Sequence, residues 1–159
     1  MFPGNNLCIV LGANATTILQ AVPQATAYMA VNEKWEHGLG TSIASGLAKL
    51  TTIFPQISAV MFMTVDQPFV TPEHLNAMIE LYTESGRAIV ASYYKDTAGI
   101  PAMFSQDFFG ELLKLESDKG AKEIINLNAN RATLLPLDLG EIDIDTPEQF
   151  AALTRSENP

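Results

Sequence analysis

The stretch from Ala59 to Glu73, Ala-Val-Met-Phe-Met-Thr-Val-Asp-Gln-Pro-Phe-Val-Thr-Pro-Glu, constrains the fold of this chain more than any other. Its first part, Ala59 to Val65, is a nearly unbroken apolar run with β-branched members, which predicts one strand buried on both faces. Asp66 follows at once, and Thr71-Pro72 has the form of an N-cap with proline at the first helical position. The pattern predicts a strand, a carboxylate at its carboxyl end and a helix. Open α/β sheets bind their ligands at that end of the strands.

Short apolar runs alternate with helical patterns along the rest of the sequence, which is typical of βαβ units around a mostly parallel sheet. Further strands are predicted at Leu7 to Leu11, Ala27 to Val31, Ala88 to Tyr93, Pro101 to Phe104 and Arg131 to Leu137. Helices are predicted at Ala15 to Ala21, Ser42 to Leu50, Pro72 to Ser85, Ser105 to about Leu115, after Asp118 and after Thr146. The short strand at Pro101 is expected to return antiparallel. With no repeat, linker or low-complexity segment, residues 1–159 are expected to form one domain.

The charge balance excludes some partners. Nine basic and eighteen acidic residues give a net charge of −9 and a pI near 4.5, which disfavours nucleic acid and anionic membranes. A phosphorylated small molecule stays compatible, because a divalent cation or helix N-termini can neutralise phosphate locally. No membrane span and no signal peptide are recognisable, so a cytoplasmic protein is expected. The single cysteine, Cys8, lies in an apolar run and is expected to be a buried structural thiol.

Two aspartates are candidate metal ligands. Asp66 ends the predicted central strand, and Asp145 closes Asp143-Ile144-Asp145 just before a predicted helix. Mg²⁺ usually takes one or two carboxylates, with phosphates and waters completing the octahedron, so this pair could hold it. The alternatives are structural: Asp66 as a turn-forming residue and Asp145 as an additional cap beside Thr146.

Two further segments could contact an anionic ligand. Residues 35–46, Trp-Glu-His-Gly-Leu-Gly-Thr-Ser-Ile-Ala-Ser-Gly, place Gly38 and Gly40 at a helix entrance, where backbone amides can approach a ligand or where the glycines only satisfy positive φ angles. In Ser-Asp-Lys-Gly-Ala-Lys, residues 117–122, Lys119 and Lys122 could hold a phosphate or form a solvated helix end. His74 is expected at the surface, and the role of His37 is left open.

Five segments together resemble one family. They are the segment at residues 35–46, Asp66-Gln-Pro-Phe-Val-Thr-Pro, Gly99-Ile-Pro-Ala-Met-Phe, the segment at residues 117–122 and Asp143-Ile-Asp-Thr-Pro-Glu. In order and spacing they are similar to the molybdenum cofactor cytidylyltransferases and the wider nucleotidyltransferases related to molybdopterin guanylyltransferase. The resemblance implies a Rossmann-like three-layer α/β/α fold with a mostly parallel sheet. It also implies Mg²⁺-dependent transfer of a nucleoside monophosphate from CTP or GTP to molybdopterin.

The resemblance also implies roles for individual residues. Asp66 and Asp145 would be the catalytic metal ligands. The nucleotide-binding residues would be Gly38, Gly40, Thr41, Ser42 and Gly46. The residues on the acceptor or substrate side would be Gln67, Gly99, Pro101, Asp118, Lys119 and Lys122.

The opening strand and phosphate loop of that family, of the form Leu-Ala-Ala-Gly-x-Ser-x-Arg-Met-Gly-x-x-Lys, have no counterpart in this sequence. Gly12-Ala-Asn-Ala follows the first predicted strand but matches neither G-x-G-x-x-G nor G-x-x-x-x-G-K-[ST]. An N-terminally truncated member is therefore expected. Two alternatives remain: a non-catalytic binding or assembly module whose homodimer covers an exposed sheet edge, and a sugar-phosphate nucleotidyltransferase.

Overall fold

The computed structural model describes residues 6–22, 26–118 and 120–156. Within them the strands are Cys8–Leu11 (β1), Tyr28–Val31 (β2), Ala59–Phe62 (β3), Ile89–Tyr94 (β4), Thr97–Ser105 (β5) and Ala132–Pro136 (β6). The α-helices are Ala15–Ala21 (α1), Leu39–Ile53 (α2), Pro72–Ser85 (α3), Phe109–Leu112 (α4), Ala121–Leu127 (α5) and Pro147–Ser156 (α6). Short 3-10 helices lie at Trp35–His37, Gln106–Phe108 and Ala129–Arg131.

The strands form two sheets. β1 and β2 pair in parallel as a two-stranded sheet, and the other four strands follow the order β3-β5-β4-β6. β5 is antiparallel to both β3 and β4, whereas β4 and β6 are parallel, so three strands of the larger sheet share one direction. The predicted antiparallel return strand is confirmed, although it begins at Thr97 rather than Pro101. The predicted α/β class with a mostly parallel sheet is confirmed.

Alternate residues of β5 place the core on both faces of the larger sheet. Phe104, fully buried, belongs to a cluster with Ile43 of α2 and Ile125 of α5. Its neighbour Met103 packs on the other face with Met78 of α3, which is also fully buried. Helices therefore cover both faces, as the expected three-layer architecture requires.

Side-chain caps define the ends of two helices that the sequence predicted. Thr71 accepts a hydrogen bond from the backbone N–H of His74 at 3.2 Å, and Gly86, with φ 62°, ends α3. At the start of α6, Gln149 donates its backbone N–H to the Thr146 hydroxyl, while the Gln149 side chain accepts from the Thr146 N–H at 2.9 Å. This reciprocal pair is a capping box, and the predicted starts of both helices are confirmed.

The predicted strand from Ala59 to Val65 is too long. β3 ends at Phe62, and Val65 is 99% exposed. The pairing with β5 explains the early end: beyond Phe62–Ala102, β5 departs from the ladder at Ile100 and Pro101, and the Ile100 carbonyl accepts from the side chains of Gln67 and Tyr94. The apolar run therefore continues into a loop, and Asp66 lies beyond the strand rather than at its last residue.

Three predicted helix boundaries are also wrong. α2 begins at Leu39 with Gly38 as its N-cap, rather than at Ser42 with a hydroxyl cap. Ser105 precedes a 3-10 turn and the single turn of α4, and its side chain makes no capping hydrogen bond. The helix predicted after Asp118 starts at Ala121, with Gly120 before it. In each case the observed helix starts without a side-chain capping hydrogen bond.

The helices of the described ranges include none with the length and apolar character that crossing a membrane would require.

Candidate nucleotide and metal site

The loop that carries Asp66 is fixed by the side chain of its neighbour, Gln67. Gln67 is 8% exposed, and its amide nitrogen donates to the carbonyl of Gly140 at 2.7 Å and to that of Ile100 at 3.3 Å. These bonds join three segments that are far apart in sequence. Gln67 was predicted to contact substrate, and the structure gives it a positioning role for the Asp66 loop. Substrate contact by Gln67 stays a prediction.

The segment before α6 docks directly on Asp66. Ile144 donates its backbone N–H to the Asp66 carbonyl at 2.8 Å, which places Asp143 and Asp145 on either side of this contact. Asp145 in turn donates its backbone N–H to the Gln149 side chain at 2.7 Å. The capping box of α6 therefore fixes the backbone of Asp145. The two predicted metal ligands come from segments that the structure brings together.

The electrostatics of this group involve a third carboxylate, Asp143. Partial loss of hydration raises the pKa of Asp143, and the negative charges of Asp66 and Asp145 raise it further. Sequence analysis did not select Asp143, although its spacing of two residues from Asp145 was visible. Three negative charges therefore interact here, an arrangement that a shared cation would stabilise.

One carboxylate oxygen of Asp66 indicates where that cation would bind. Asp66 Oδ1 is buried, and within the described residues it has no hydrogen-bond partner. A buried carboxylate oxygen without a donor is costly, and a hard divalent cation would satisfy it. Over the same residues, no three His, Cys, Asp or Glu side chains are close enough to hold one ion. The geometry suits a cation held by one or two aspartates, with the remaining ligands from outside the protein.

Tyr94 lies next to this acidic group, under the predicted acceptor segment. Its hydroxyl donates to the Ile100 carbonyl at 3.0 Å, and a Cβ atom on Gly99 would collide with its ring. Burial raises the pKa of Tyr94, a hydrogen bond with Gln67 opposes this, and the charges of Asp143 and Glu141 raise the pKa again. The absence of a side chain at Gly99 therefore serves close packing on Tyr94.

A buried serine completes the support of the acceptor segment. Ser92 is fully buried and donates its hydroxyl to the carbonyl of Pro101 at 2.9 Å, where the Ile100–Pro101 peptide bond is cis. The two residues Ile100 and Pro101 bulge out of the β4–β5 ladder at this point. Pro101 is itself buried and its carbonyl is used within the protein, so contact of an acceptor with Pro101 stays a prediction.

The predicted nucleotide-binding glycines pack against residues 117 and 118. Gly38 has φ 113°, and a Cβ atom there would lie 2.6 Å from the backbone nitrogen of Asp118. Gly40 donates its N–H to the Ser117 carbonyl at 3.0 Å, and a Cβ atom on Gly40 would approach that oxygen to 2.5 Å. The glycines therefore allow two loops to meet, and the Gly40 amide is already used within the protein.

The hydroxyl residues of this loop form a network with Asn32 at the end of β2. The Asn32 amide donates to the hydroxyl of Thr41 at 2.8 Å and to that of Ser42 at 3.0 Å. Thr41 is 7% exposed and donates back to the Gly38 carbonyl at 2.9 Å. Sequence analysis missed Asn32, which would have been found only by knowing that β2 ends beside the first turn of α2. Gly46 lies deeper, where a Cβ atom would be 2.7 Å from Val10, so its role is helix–strand packing.

We expect Gly40→Ala to destabilise the protein by about 2 kcal/mol, because the added methyl group overpacks the contact with Ser117. Gly110→Ala is the matched control: it lies in α4 with open space around its Cα, so alanine should stabilise by about 0.5 kcal/mol. Urea denaturation of both variants measures the difference. Equal stability of the two variants would contradict the close approach of the two loops.

The predicted basic site at residues 117–122 is only partly visible. Asp118 is exposed and touches the Gly38 loop, Lys122 is exposed on the first turn of α5, and Lys119 lies outside the described residues. The contacts thus collect most of the predicted residues into two groups. One contains Asp66, Gln67, Gly99, Pro101 and Asp145, joined by Asp143, which was not predicted; the other contains Gly38, Gly40, Thr41, Ser42 and Asp118.

His74 was expected at the surface, and this expectation is wrong. Its ring is half-buried, and its Nε2 atom lies 2.9 Å from the hydroxyl of Ser92. The Ser92 hydroxyl donates to the Pro101 carbonyl, which leaves its oxygen to accept from the tautomer of neutral His74 that carries its hydrogen on Nε2. Burial lowers the pKa of His74, since the charged ring loses hydration.

We therefore expect an acid-sensitive contribution of His74 to stability. A lowered folded-state pKa means that the contribution is complete above the unfolded-state pKa of about 6.5 and is lost as the pH falls through the folded-state pKa. His74→Gln should remove this step from a plot of unfolding free energy against pH. His37→Gln, in the exposed 3-10 turn, is the control and should leave the step in place. Loss of the step in the control variant would refute the assignment.

The three-layer arrangement, with helices on both faces of a mostly parallel sheet, defines an open-sheet α/β protein. More specifically, the chain belongs to the family of the MobA-like NTP transferase domain, which matches residues 5–134. The resemblance seen in the sequence motifs is thereby confirmed.

Relatives and solved structures agree with this family. The purine catabolism protein PucB of Bacillus subtilis (strain 168) is 32% identical over 125 residues, covering 76% of this chain and 58% of PucB. The chain therefore spans little more than half of that relative. Rv0371c of Mycobacterium tuberculosis H37Rv, solved in complex with manganese, is 27% identical with a TM-score of 0.73, over 95% of this chain and 78% of Rv0371c. Molybdopterin-guanine dinucleotide biosynthesis protein A from Archaeoglobus fulgidus, 15% identical with a TM-score of 0.64 over 94% of this chain and 78% of that protein, shares the fold.

Proposed function

We propose that this chain binds a nucleoside triphosphate with a divalent cation and supports transfer of its nucleoside monophosphate to a phosphorylated acceptor. The observation that carries the proposal is the buried, unpartnered Asp66 Oδ1 beside Asp143 and Asp145. Membership of the MobA-like NTP transferase family supports the nucleotide as the ligand class. The proposed metal ligands are Asp66 and Asp145.

Mg²⁺ is the proposed cation, and the manganese in Rv0371c shows that a relative binds a divalent ion of the same hard, oxygen-preferring kind. When bound, the cation supplies charge neutralisation for the triphosphate. The residues of this chain position the carboxylates. The Gln67 side chain holds the Asp66 loop by donating to the backbone carbonyls of two distant residues. The Gln149 side chain holds Asp145 by accepting from the backbone N–H of Asp145. Fixed carboxylates need no reorganisation during the reaction, which is the main source of catalysis in such transfers.

The finer proposal is transfer of CMP or GMP to the phosphate of molybdopterin. An acceptor phosphate oxygen attacks the α-phosphorus, the bond from that phosphorus to the β-phosphate oxygen breaks, and pyrophosphate leaves with the electron pair. The order of the five motifs supports this acceptor. The segments Gly99 to Pro101 and Asp118 to Lys122 are its proposed contacts, and residues 38–46 those of the base and ribose.

Titration calorimetry with CTP, GTP, ATP and UTP in the presence of MnCl₂ or MgCl₂ tests the binding. We expect saturable binding of at least one nucleotide that EDTA abolishes. Absence of binding for all four nucleotides with either cation would refute the proposal. Release of pyrophosphate with CTP or GTP and molybdopterin tests the finer proposal, and nucleotide binding without turnover would refute catalysis by this chain alone.

One observation favours a second candidate function, a non-catalytic assembly module that works as a homodimer. The β1–β2 and β3-β5-β4-β6 sheets are separate, so β1 and β3 each have an edge that pairs with no other described strand. Such edges are commonly covered by another chain. Light scattering distinguishes this candidate: a stable dimer without nucleotide binding supports it, and a monomer at micromolar concentration refutes it.

A further inference from the structure

An open cleft of about 620 Å³ lies at the end of the larger sheet that is opposite to Asp66. Among its lining residues, Ser58 precedes β3, Ala88 precedes β4, and Ser105 is the last residue of the antiparallel strand β5. Backbone hydrogen bonds join these strand ends: Ser105 donates its N–H to the Ala88 carbonyl at 2.8 Å, and Gln106 donates to the Ser58 carbonyl at 2.8 Å. Because Asp66 follows the other end of β3, the cleft is separate from the candidate metal site.

Two arginines line this cleft, and other residues of the protein hold each of them. Arg87 lies between α3 and β4, and its guanidinium donates to the Asn130 carbonyl at 2.6 Å. Arg131 precedes β6; its guanidinium pairs with Asp107 and lies over the Phe108 ring, 4.8 Å from the ring centroid. A guanidinium has five N–H donors, so these contacts use only a fraction of what each arginine offers. A guanidinium that is already held loses less side-chain entropy when it binds an anion.

Neutral hydroxyl groups also line the cleft. The Oγ atom of Ser105 is buried, and among the residues that the structure describes it has no hydrogen-bond partner. A buried hydroxyl of this kind needs a partner, which a water or a ligand in the cleft would supply. Burial raises the pKa of Tyr82, and the charge of Asp107 raises it further, so the Tyr82 hydroxyl keeps its hydrogen and can donate it to a ligand.

The charge of the cleft is opposite to that of the protein as a whole. Its lining residues include Arg87, Arg131 and one acidic residue, Asp107, whereas the whole chain has nine basic and eighteen acidic residues. A local excess of positive charge in a concave surface attracts anions. The cleft volume also lies within the range of about 300–1,000 Å³ that is usual for sites of small molecules. Size and charge together favour a small anionic ligand.

We propose that this cleft is a second ligand site, which binds a small molecule through an oxyanion group, a phosphate ester or a carboxylate, held by Arg87 and Arg131. The oxyanion accepts charge-assisted hydrogen bonds from the two guanidiniums, and the Tyr82 hydroxyl donates a further one. Asp107 opposes the anion, because it repels the negative charge and competes for Arg131. This inference does not depend on nucleotide transfer at Asp66.

The test is a titration of the isotope-labelled full chain with inorganic phosphate and, separately, with succinate, followed by NMR spectroscopy. Ionic strength is kept constant, so that a change in screening does not imitate binding. EDTA is present throughout and removes divalent cations, which excludes cation-dependent binding near Asp66. We expect saturable shifts of the backbone amides of Arg87, Ser105 and Arg131, and no shift of the Ile144 amide that contacts Asp66.

Three variants identify the groups that bind the anion. Arg87→Gln should weaken the affinity about tenfold, because it removes a charge-assisted hydrogen bond. Asp107→Asn should strengthen the affinity about threefold, because Arg131 is no longer shared with a carboxylate. Lys95→Asn is the matched control: it removes the same charge as Arg87→Gln, but from an exposed turn at the opposite end of β4, and the affinity should change little.

Tighter binding of phosphate would identify a phosphate ester as the ligand class, and tighter binding of succinate a carboxylate; either result supports the site. The absence of saturable shifts for both anions below about 20 mM would overturn the proposal. Equal weakening in Arg87→Gln and Lys95→Asn would also overturn it, because binding would then follow net charge rather than the cleft. Weaker binding in Asp107→Asn would overturn it as well, since Asp107 is proposed to oppose the anion.

Discussion

We expect the replacement of Asp66 by asparagine to weaken the proposed cation-dependent nucleotide binding by about 100-fold, while the protein remains folded. The amide keeps the shape of the side chain but cannot supply a charged oxygen at the buried position of Oδ1. The substitution also removes one of the negative charges that raise the pKa of Asp143, so stability should be unchanged or higher. Calorimetric titration with MnCl₂ and the nucleotide that the original chain prefers measures the affinity, and urea denaturation measures the stability.

Glu84→Gln is the matched control for the negative charge that Asp66→Asn removes. Glu84 is an exposed carboxylate in the last turn of α3, at the end of the helix remote from Asp66, and its replacement changes the net charge by the same amount. Nucleotide affinity should be unchanged in this variant. If both variants lost affinity equally, the effect would come from net charge and the assignment of Asp66 would be wrong.

Local sequence signals predicted the helices that carry their own caps. α3 begins and ends where Thr71, Pro72 and Gly86 indicate, and α6 begins at the capping box of Thr146 and Gln149. Such signals act within one turn of helix, so the sequence contains them in readable form.

Features that depend on pairing between distant segments could not be predicted in the same way. The early end of β3 depends on where β5 departs from the ladder, which is at Ile100 and Pro101. The half-burial of His74 depends on a serine of β4, and the position of Asp66 depends on the Gly140 and Ile100 carbonyls that hold Gln67. The separation of β1 from β3 likewise appears only when all strand pairings are known.

The residues of the candidate site show the same contrast between local signals, which the sequence reveals, and contacts between distant segments, which it does not. Asp66 and Asp145 were found from their positions before a turn and a helix, and the Ile144–Asp66 contact explains how they meet. Asp143 was missed because a single sequence does not tell which of two nearby aspartates faces a third. Gly38 and Gly40 were selected for ligand approach, whereas their contacts in the structure are with residues 117 and 118.

Gln67→Glu should have the largest effect on stability, a loss of about 3 kcal/mol at pH 7. The substitution is nearly isosteric but replaces the amide donor by a carboxylate oxygen, which would face the Gly140 carbonyl at the present 2.7 Å and the Ile100 carbonyl at 3.3 Å. With Gln67 only 8% exposed, the new charge would also be buried, next to Asp66. Urea denaturation at pH 7 measures the loss, and Gln56→Glu, in the exposed turn after α2, is the matched control expected to change stability little.

The pH dependence of the stability loss in Gln67→Glu distinguishes two causes: loss of the amide hydrogen-bond donor and a change in side-chain shape. Burial and the two carbonyls raise the folded-state pKa of the introduced carboxyl above its unfolded value of about 4.3. The destabilisation is therefore greatest above the folded-state pKa and shrinks as the pH falls toward the unfolded value, where the protonated carboxyl can donate to the Gly140 carbonyl. The difference in unfolding free energy between variant and original chain should decrease steadily on acidification. A difference that stays constant with pH would show that the Gln67 amide does not hold the Asp66 loop through these two carbonyls.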